Sequence, residues 1–472
     1  MTSKRPKHIE PSSTDPTGGD KIKARALEAL EPESANSAAM KAKALSIDPE
    51  KLMEQIVDDA NMLLAWKNVR ANRGAPGPDG ITIAAFPEFF RTGWPIVRQQ
   101  LLNGTYKPSA ARRKSIPKED GSERHLGIPN VQERLIQQAI MQVLTPIFDP
   151  EFSESSFGFR PKRSAHGATK QVQKHIQDGY RHCVDMDLAK FFDTVQHDVL
   201  LVRVARKVRD KRLLGLIGRY LRAGIMVDGL CMLTEEGTMQ GGPLSPILAN
   251  ILLDDLDKEL EERGLRFVRY ADDFLVFTKS ETASKRVYES IGNYLTRKLK
   301  LVVNHQKSRT CSTDGVEFLG FIFRGYGGQI RVSPKKIKKF KVRIREITRR
   351  NRGVSMQARI VELRRYVQGW VGYFRLVPLK TFYEDLDQWI RRRLRACFWQ
   401  QWRNPRTRIR NLLKLGVQEH EAYTHGSSSK GPWVMSSSKA VHMALSLDFL
   451  KRIGVVSLLE IWTKLASKGR TA

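Results

Sequence analysis

The spacing of apolar residues divides the chain into segments of different period. From about Pro49, the residues Leu52, Ile56, Leu63 and Trp66 recur on roughly one face. That spacing predicts a helix stopping at the Gly/Pro loop NRGAPGPDG, residues 72–80. Residues 131–147 carry Val131, Leu135, Ile136, Ala139, Ile140, Val143 and Leu144 at three-and-four spacing, the pattern of an amphipathic helix. Residues 245–263 predict another, with Ser245 able to cap it, Pro246 suited to its first turn and Gly264 to its end. Val287, Ile291, Leu295 and Leu299 mark one more. Three stretches break this period. HCVDMDLAKFFDTV (182–195) opens as a strand, and VEFLGFIF (316–323) reads as one. FVRYADDFLVF (267–277) consists of two short apolar runs around adjacent aspartates. Helices interleaved with short strands make the fold class α/β (α+β). No internal repeat is visible.

The length of 472 residues and the 41% hydrophobic content allow one to several domains with ample cores. Charge narrows the function classes. The formal net charge is +31, from 81 Lys and Arg against 50 Asp and Glu, which calls for a polyanionic partner. No apolar run approaches a membrane span, and the opening MTSKRPKHIE lacks the apolar core of a signal peptide. Nucleic acid is therefore favoured over a membrane. Cys183, Cys231, Cys311 and Cys397 form no CxxC pair, so a reducing interior without a zinc module is expected. Residues 1–47 are polar, rich in Ser, Pro, Gly and Lys, and expected to be a disordered leader. Residues 331–410 hold 24 Lys and Arg against 5 Asp and Glu, interleaved with aromatics such as Tyr366, Trp370, Trp389 and Trp399. Helices with an aromatic core face and a phosphate-facing surface fit that pattern, with Arg391, Arg392, Arg393, Arg395, Arg403, Arg406 and Arg408 as nucleic-acid contacts.

The paired aspartates carry the chemistry. If the runs flanking them are strands, Ala271, Asp272 and Asp273 form a tight turn. The plain reading is two turn carboxylates facing water. The other is a site for a hard cation such as Mg²⁺, completed by Asp187 of DMDLAKFFD, with Asp185 behind it and Asp193 either capping or facing solvent. Two such ions ~3.5–4 Å apart would activate an attacking oxygen and stabilise a leaving one at phosphorus.

YADD (270–273) resembles the YxDD signature of reverse transcriptases, and it does not stand alone. DMDLAKFFD resembles the first palm carboxylate motif, and QGGPLSPILANILLDDLD (240–257) the Gln-Gly motif and helix between the two. SIPKEDGSERHLGIPNVQERLIQQAI (115–140), SSFGFRPKRSAHGA (155–168), LVVNHQKS (301–308) and VEFLGF follow in family order. WIRRRLRACFWQQWRNPRTRIRNLLKLGV (389–417) resembles the maturase region of group II intron-encoded proteins, and KGPWVMSSSKAVHMALS (430–446) their short DNA-binding segment.

The resemblance covers roughly residues 50–472 and points to a bacterial-type group II intron reverse transcriptase/maturase without an endonuclease domain. It implies a right-hand polymerase with fingers and palm over 48–330 and a thumb/maturase domain over 331–412. A DNA-binding segment over 413–472 completes it. Asp187, Asp272 and Asp273 would be catalytic and would hold two Mg²⁺. Arg112, Lys118 and Arg124 map onto fingers cations for the dNTP triphosphate, in keeping with a basic hairpin around EDG. Ile128 maps near the templating base. Gln240, Gly241 and Ala271 belong to the nucleotide site, although Met239 stands where the family usually has proline. One of Phe191 and Phe192 would exclude a 2′-OH while the other is core. Lys307 maps onto a lysine suggested to protonate pyrophosphate, and FLGF (318–321) onto a primer contact. Implied partners are group II intron RNA, an RNA template with a DNA primer, a DNA target site and dNTPs, with no membrane and homodimerisation left open. The location implied is the bacterial cytoplasm, at the nucleoid. Two rival readings are a domesticated polymerase of repair or defence and a splicing cofactor with little polymerase activity. The intact aspartates count against the second.

Overall fold

The computed structural model describes residues 48–117, 123–189, 191–227, 230–232 and 241–468, so the leader, Lys118 and Gln240 lie outside the described residues. Strands are numbered β1 Ala111–Pro117, β2 Glu123–Ile128, β3 His182–Met186, β4 Ile225–Val227, β5 Leu230–Met232, β6 Arg266–Tyr270 and β7 Asp273–Thr278, followed by β8 Arg309–Ser312, β9 Glu317–Phe318, β10 Phe321–Arg324 and β11 Gln329–Val332. The chain forms two compact units, each assembled from separate stretches. One comprises Met1–Glu154, Leu188–Glu259 and Gly292–Asn304; the other Ser155–Asp187, Leu260–Ile291 and His305–Ala472.

In the first unit the expected opening helix is two helices, Leu52–Ile56 and Asp59–Ala71. Asp58 interrupts the run in extended backbone, and its carboxylate accepts from the Ala60 N–H as an N-cap. The buried stripe of the second helix is Met62, Ala65 and Val69, one position off the pattern drawn through Leu63 and Trp66. The helix Val131–Phe148 buries all seven residues named from the sequence. It also buries Glu133, which accepts from Tyr106 Oη and Tyr220 Oη, each at 2.8 Å, and from the Ser109 N–H at 2.9 Å. Burial raises the Glu133 pKa and these three donors oppose the rise. The network anchors the chain just ahead of β1 in a four-stranded sheet of order β2-β1-β4-β5.

The second unit is built on the sheet β6-β7-β3-β8 and a smaller sheet β11-β10-β9. VEFLGFIF is a hairpin and not the single strand expected: Phe318 pairs with Phe321 across Leu319 (φ 52°) and Gly320 (φ 80°). Two consecutive positive φ values make the two-residue turn that joins twisted strands. The basic helices Pro334–Ile347, Met356–Phe374 and Lys380–Gln401 follow. Phe340, Trp370 and Phe374 bury into one core with Leu275, Val316, Phe318 and Phe321. Residues on both sides of the boundary expected at 330/331 share this core.

The boundary expected at 412/413 falls inside the helix Pro405–Lys414. The last helix, Leu458–Lys468, packs on Met356–Phe374 and Lys380–Gln401. Asp387 ties it down, accepting from the N–H groups of Leu458 (2.8 Å) and Leu459 (3.2 Å) and from Ser457 Oγ (2.5 Å). A carboxylate at a helix N-terminus meets donors that have no partner within the helix. Among the described residues no helix is long and apolar enough to cross a membrane.

Candidate active site

The register of the central sheet brings the distant aspartates together. Strand β3 runs antiparallel to β7 with Asp185 opposite Leu275 and Met186 opposite Phe274. One residue beyond the last pair of that ladder the chain reaches Asp187, near enough to Asp273 for its charge to act there. Alternation places Asp185 and Asp187 on one face, while Met186 is buried beneath. Asp187 leaves the strand under the control of Ser308, whose Oγ accepts from the Asp187 N–H at 3.0 Å and donates to its carbonyl at 3.2 Å. Exposed Lys307 is the residue before that clasp.

Tyr270 pairs with Asp273, so the tip of the β6–β7 hairpin is Ala271 and Asp272 alone. Ala271 has φ 59°, a left-handed conformation that costs a residue with a Cβ about 1–2 kcal/mol. Two residues that sequence reasoning did not single out hold the turn. Arg269, fully buried, donates from a guanidinium N–H to the Ala271 carbonyl at 3.1 Å. Gly158 lies so close that a Cβ there would stand 2.3 Å from the Ala271 nitrogen and 2.9 Å from the Tyr270 carbonyl carbon. Around it, Phe157 N–H donates to the Arg269 carbonyl and Arg269 N–H to the Ser155 carbonyl. The available signal was the motif SSFGFRP itself, which shows a required glycine but not its neighbour.

The electrostatics are those of a crowded acidic site. Burial, then repulsion from Asp185, Asp272, Asp187 and Glu317 in that order, pushes Asp273 up to about 7. The residue retains water access, which tempers the desolvation and leaves the like charges as the firmer cause. Asp185 is raised by burial and partly restored by Arg309, whose Nε lies 3.3 Å from its carboxylate. Neither Glu317 nor Arg309 was anticipated. A cluster of carboxylate oxygens repelling one another fits a hard divalent cation, which would relieve the repulsion and supply Lewis acidity at phosphorus. Among the described residues no three His, Cys, Asp or Glu side chains are gathered into a metal-holding group.

Within the first unit, Arg112 and Ile128 face each other across the β1–β2 hairpin, and an Arg112 N–H donates to the Pro76 carbonyl at 2.8 Å. Arg124 sits on β2 opposite Ile116. Gly241, at φ 124°, would place a Cβ 2.5 Å from the Gly127 carbonyl oxygen, so only glycine lets the backbone at this position approach the strand beside Ile128. Phe191 is buried, whereas Phe192 is half-exposed and meets it edge-on at 5.1 Å. Asp193 is exposed.

The arginines read as nucleic-acid contacts divide in two. Arg395 is 6% exposed and its Nε donates to the Leu445 carbonyl, so it belongs to the core and not to a phosphate surface. Arg408 donates to the Trp402, Arg403 and Ser428 carbonyls and lies 5.0 Å over the Trp399 ring. Arg393 bonds Thr348 Oγ and covers Trp389, and Arg392 stacks at 4.2 Å on Trp433. Periodicity could not separate these from Arg403 and Arg406, which are exposed, or from half-exposed Arg391.

Residues 116–323 match the family profile "Reverse transcriptase (RNA-dependent DNA polymerase)", and residues 337–416 match "Group II intron, maturase-specific domain". Protein YkfC of Escherichia coli (strain K12) is 31% identical over 321 residues, covering 60% of this chain and 83% of that protein. The group II intron-encoded protein LtrA of Lactococcus lactis subsp. cremoris is 30% identical over 327 residues, covering 55% of this chain and 54% of LtrA. The match thus spans about half of LtrA. A solved apo telomerase from Candida tropicalis covers 81% of this chain and 70% of its own at 13% identity, with a TM-score of 0.41, too low to carry an argument. Reverse transcriptases use divalent metal ions, and the two matched domains imply RNA and DNA as partners. The chain belongs to the group II intron reverse transcriptase/maturase family and is an RNA-directed DNA polymerase.

Proposed function

We propose that this polymerase extends a DNA primer on an RNA template using two Mg²⁺ ions held by Asp187, Asp272 and Asp273. The observation that supports the reading is the β3–β7 pairing, which ends at Met186 and Phe274 and so brings the adjoining Asp187 and Asp273 to one end of the sheet, beside the strained tip bearing Asp272. In this reading the primer 3′-OH attacks the α-phosphate of a dNTP and pyrophosphate leaves. Arg112, Lys118 and Arg124 bind the triphosphate, Ile128, Gln240, Gly241 and Ala271 shape the nucleotide site, and Lys307 serves the leaving group. Of the two phenylalanines, the accessible Phe192 is the one assigned to exclude a 2′-OH, because Phe191 is core.

The same protein is proposed to bind its parent group II intron RNA, assist splicing and copy the intron into a DNA target, at the bacterial nucleoid. LtrA's name as an intron-encoded protein and the maturase-specific match support that extension. Phosphate contacts on the thumb are assigned to Arg391, Arg403 and Arg406, with Arg392 able to swing from Trp433. The test is primer extension on RNA with Mg²⁺, comparing dNTPs with rNTPs, for wild type and Asp272→Ala, with intron RNA binding measured in parallel. Loss of extension with retained RNA binding is expected, since most positive charge lies outside the carboxylate strands. Equal loss of both would overturn the separation of catalysis from binding.

A further inference from the structure

Strand β3 carries a second feature on the face that bears Asp185 and Asp187. Cys183 pairs directly with Cys311 of β8, and their sulfurs lie 3.5 Å apart. Both are thiols. Cys183 is fully buried, while Cys311 is half-buried on the edge strand of the sheet. Toward the carboxylates the next pair on the same face is Asp185 with Arg309, and the chain then reaches Ser308, which clasps Asp187. The two sulfurs therefore sit at one end of a continuous line of paired side chains whose other end is catalytic.

We propose that Cys183 and Cys311 are a redox-modification site, oxidised by a peroxide to a cross-strand disulfide that tightens the palm sheet and reversibly slows DNA synthesis. The accessible Cys311 thiol attacks hydrogen peroxide, breaking its O–O bond to give a Cys311 sulfenic acid and one water. Cys183 sulfur then attacks the sulfenic sulfur; the S–S bond forms, the S–O bond breaks, and the Cys183 proton leaves with the hydroxyl as a second water. Two thiols lose two electrons and two protons, and one peroxide is reduced to two waters.

Geometry sets both the feasibility and the reversibility. Thr313 N–H donates to the Arg181 carbonyl, so every second pair of this ladder, Cys183–Cys311 included, falls at a hydrogen-bonded position. Cα atoms there are about 5.5 Å apart, inside the disulfide range. The sulfurs must nevertheless close from 3.5 Å to about 2.05 Å, and side chains at such positions start farther apart than a relaxed disulfide wants. A strained bond of this kind forms under oxidant and is reduced readily. Strand β8 is the short edge strand, paired with β3 alone, so closure of the sulfurs would draw on it and on Arg309 and the adjoining Ser308. The S–H contact between the thiols holds Cys311 below its ordinary pKa, favouring it as the first attacker.

The experiment treats the full chain with hydrogen peroxide, maps peptides under non-reducing conditions, and measures primer extension before and after dithiothreitol. A Cys183–Cys311 peptide pair about 2 Da lighter than the two thiols, with extension slowed about tenfold and restored by reductant, is expected. Cys311→Ser should extend normally and resist peroxide, and Cys183→Ala provides the same readout if the serine variant folds poorly. The mass shift does not depend on the polymerase reading, so its absence overturns this site alone. A cross-link that leaves extension unchanged overturns the control of synthesis.

Discussion

Gly158→Ala tests whether the hairpin bearing Asp272 and Asp273, proposed to be catalytic, is held from behind. The added Cβ would fall 2.3 Å from the Ala271 nitrogen, against the 3.4 Å or more of an ordinary contact, and both groups in the clash are main chain. No rotamer change relieves it, so either the 155–158 segment or the turn must retreat by about 1 Å. The segment is stitched to β6 by two backbone hydrogen bonds through Arg269, which leaves the turn as the softer side. Overpacking of this kind costs about 1–3 kcal/mol of stability. A displacement of about 1 Å in a catalytic group costs about 100-fold in rate. Primer extension on RNA should therefore fall about 100-fold at saturating dNTP, while intron RNA binding stays within about twofold and circular dichroism shows a folded chain. An extension rate within threefold of wild type, in a folded protein, would refute the claim that Gly158 positions Asp272 and Asp273.

Two further outcomes follow from neighbouring contacts. Tyr373 Oη donates to the Leu319 carbonyl at 2.9 Å, holding the left-handed 318–321 turn, so Tyr373→Phe should raise KM for primer–template several-fold while lowering stability by only about 0.5–1.5 kcal/mol; an unchanged KM would remove the turn from primer binding. His175 is buried against Phe277 and pushed down to about 4, chiefly by burial, so it stays neutral when folded. An unfolded imidazole protonates near 6.5, so the unfolded chain binds the extra proton between about pH 6.5 and 4, and stability falls as pH drops through that window. The upper bound is about 3 kcal/mol, reduced by residual solvent screening, and denaturant titrations of wild type and His175→Gln at pH 7.5 and 4.5 should show a smaller acid loss in the variant.

Periodicity found the elements whose stability is local and missed the decisions made by tertiary packing. The helix Val131–Phe148 was legible because seven apolar residues repeat on one face. The opening helix was misjudged because a single Asp58 can end one helix and cap the next without disturbing the apolar spacing. VEFLGFIF looked like one strand because Leu319 is an unusual residue at φ 52°, and its conformation is imposed by the Tyr373 hydrogen bond and by Gly320 beside it. Candidate residues stood out in the sequence where the proposed chemistry calls for a residue type, as with Asp187, Asp272 and Asp273. Their supports did not, because Arg269 and Arg309 reach the site through sheet register and Glu317 from a strand of a second sheet, and neither register nor sheet packing is visible in a single sequence.

The arginines show the same limit in energetic form. A count of charges assigns every arginine of the 331–410 block to phosphate, because net charge alone sets long-range attraction. Burial then withdraws some of them: Arg395 and Arg359 are 6% and 2% exposed, and each donates to main-chain carbonyls. A buried guanidinium needs those acceptors, since desolvation without partners would cost several kcal/mol. Such residues still add to the field that draws a polyanion in, but they cannot release a condensed counterion by touching a phosphate. The salt dependence of RNA binding is therefore governed by the cations that reach solvent, exposed Arg403 and Arg406 and half-exposed Arg391 among them, and is shallower than the charge count of the block implies.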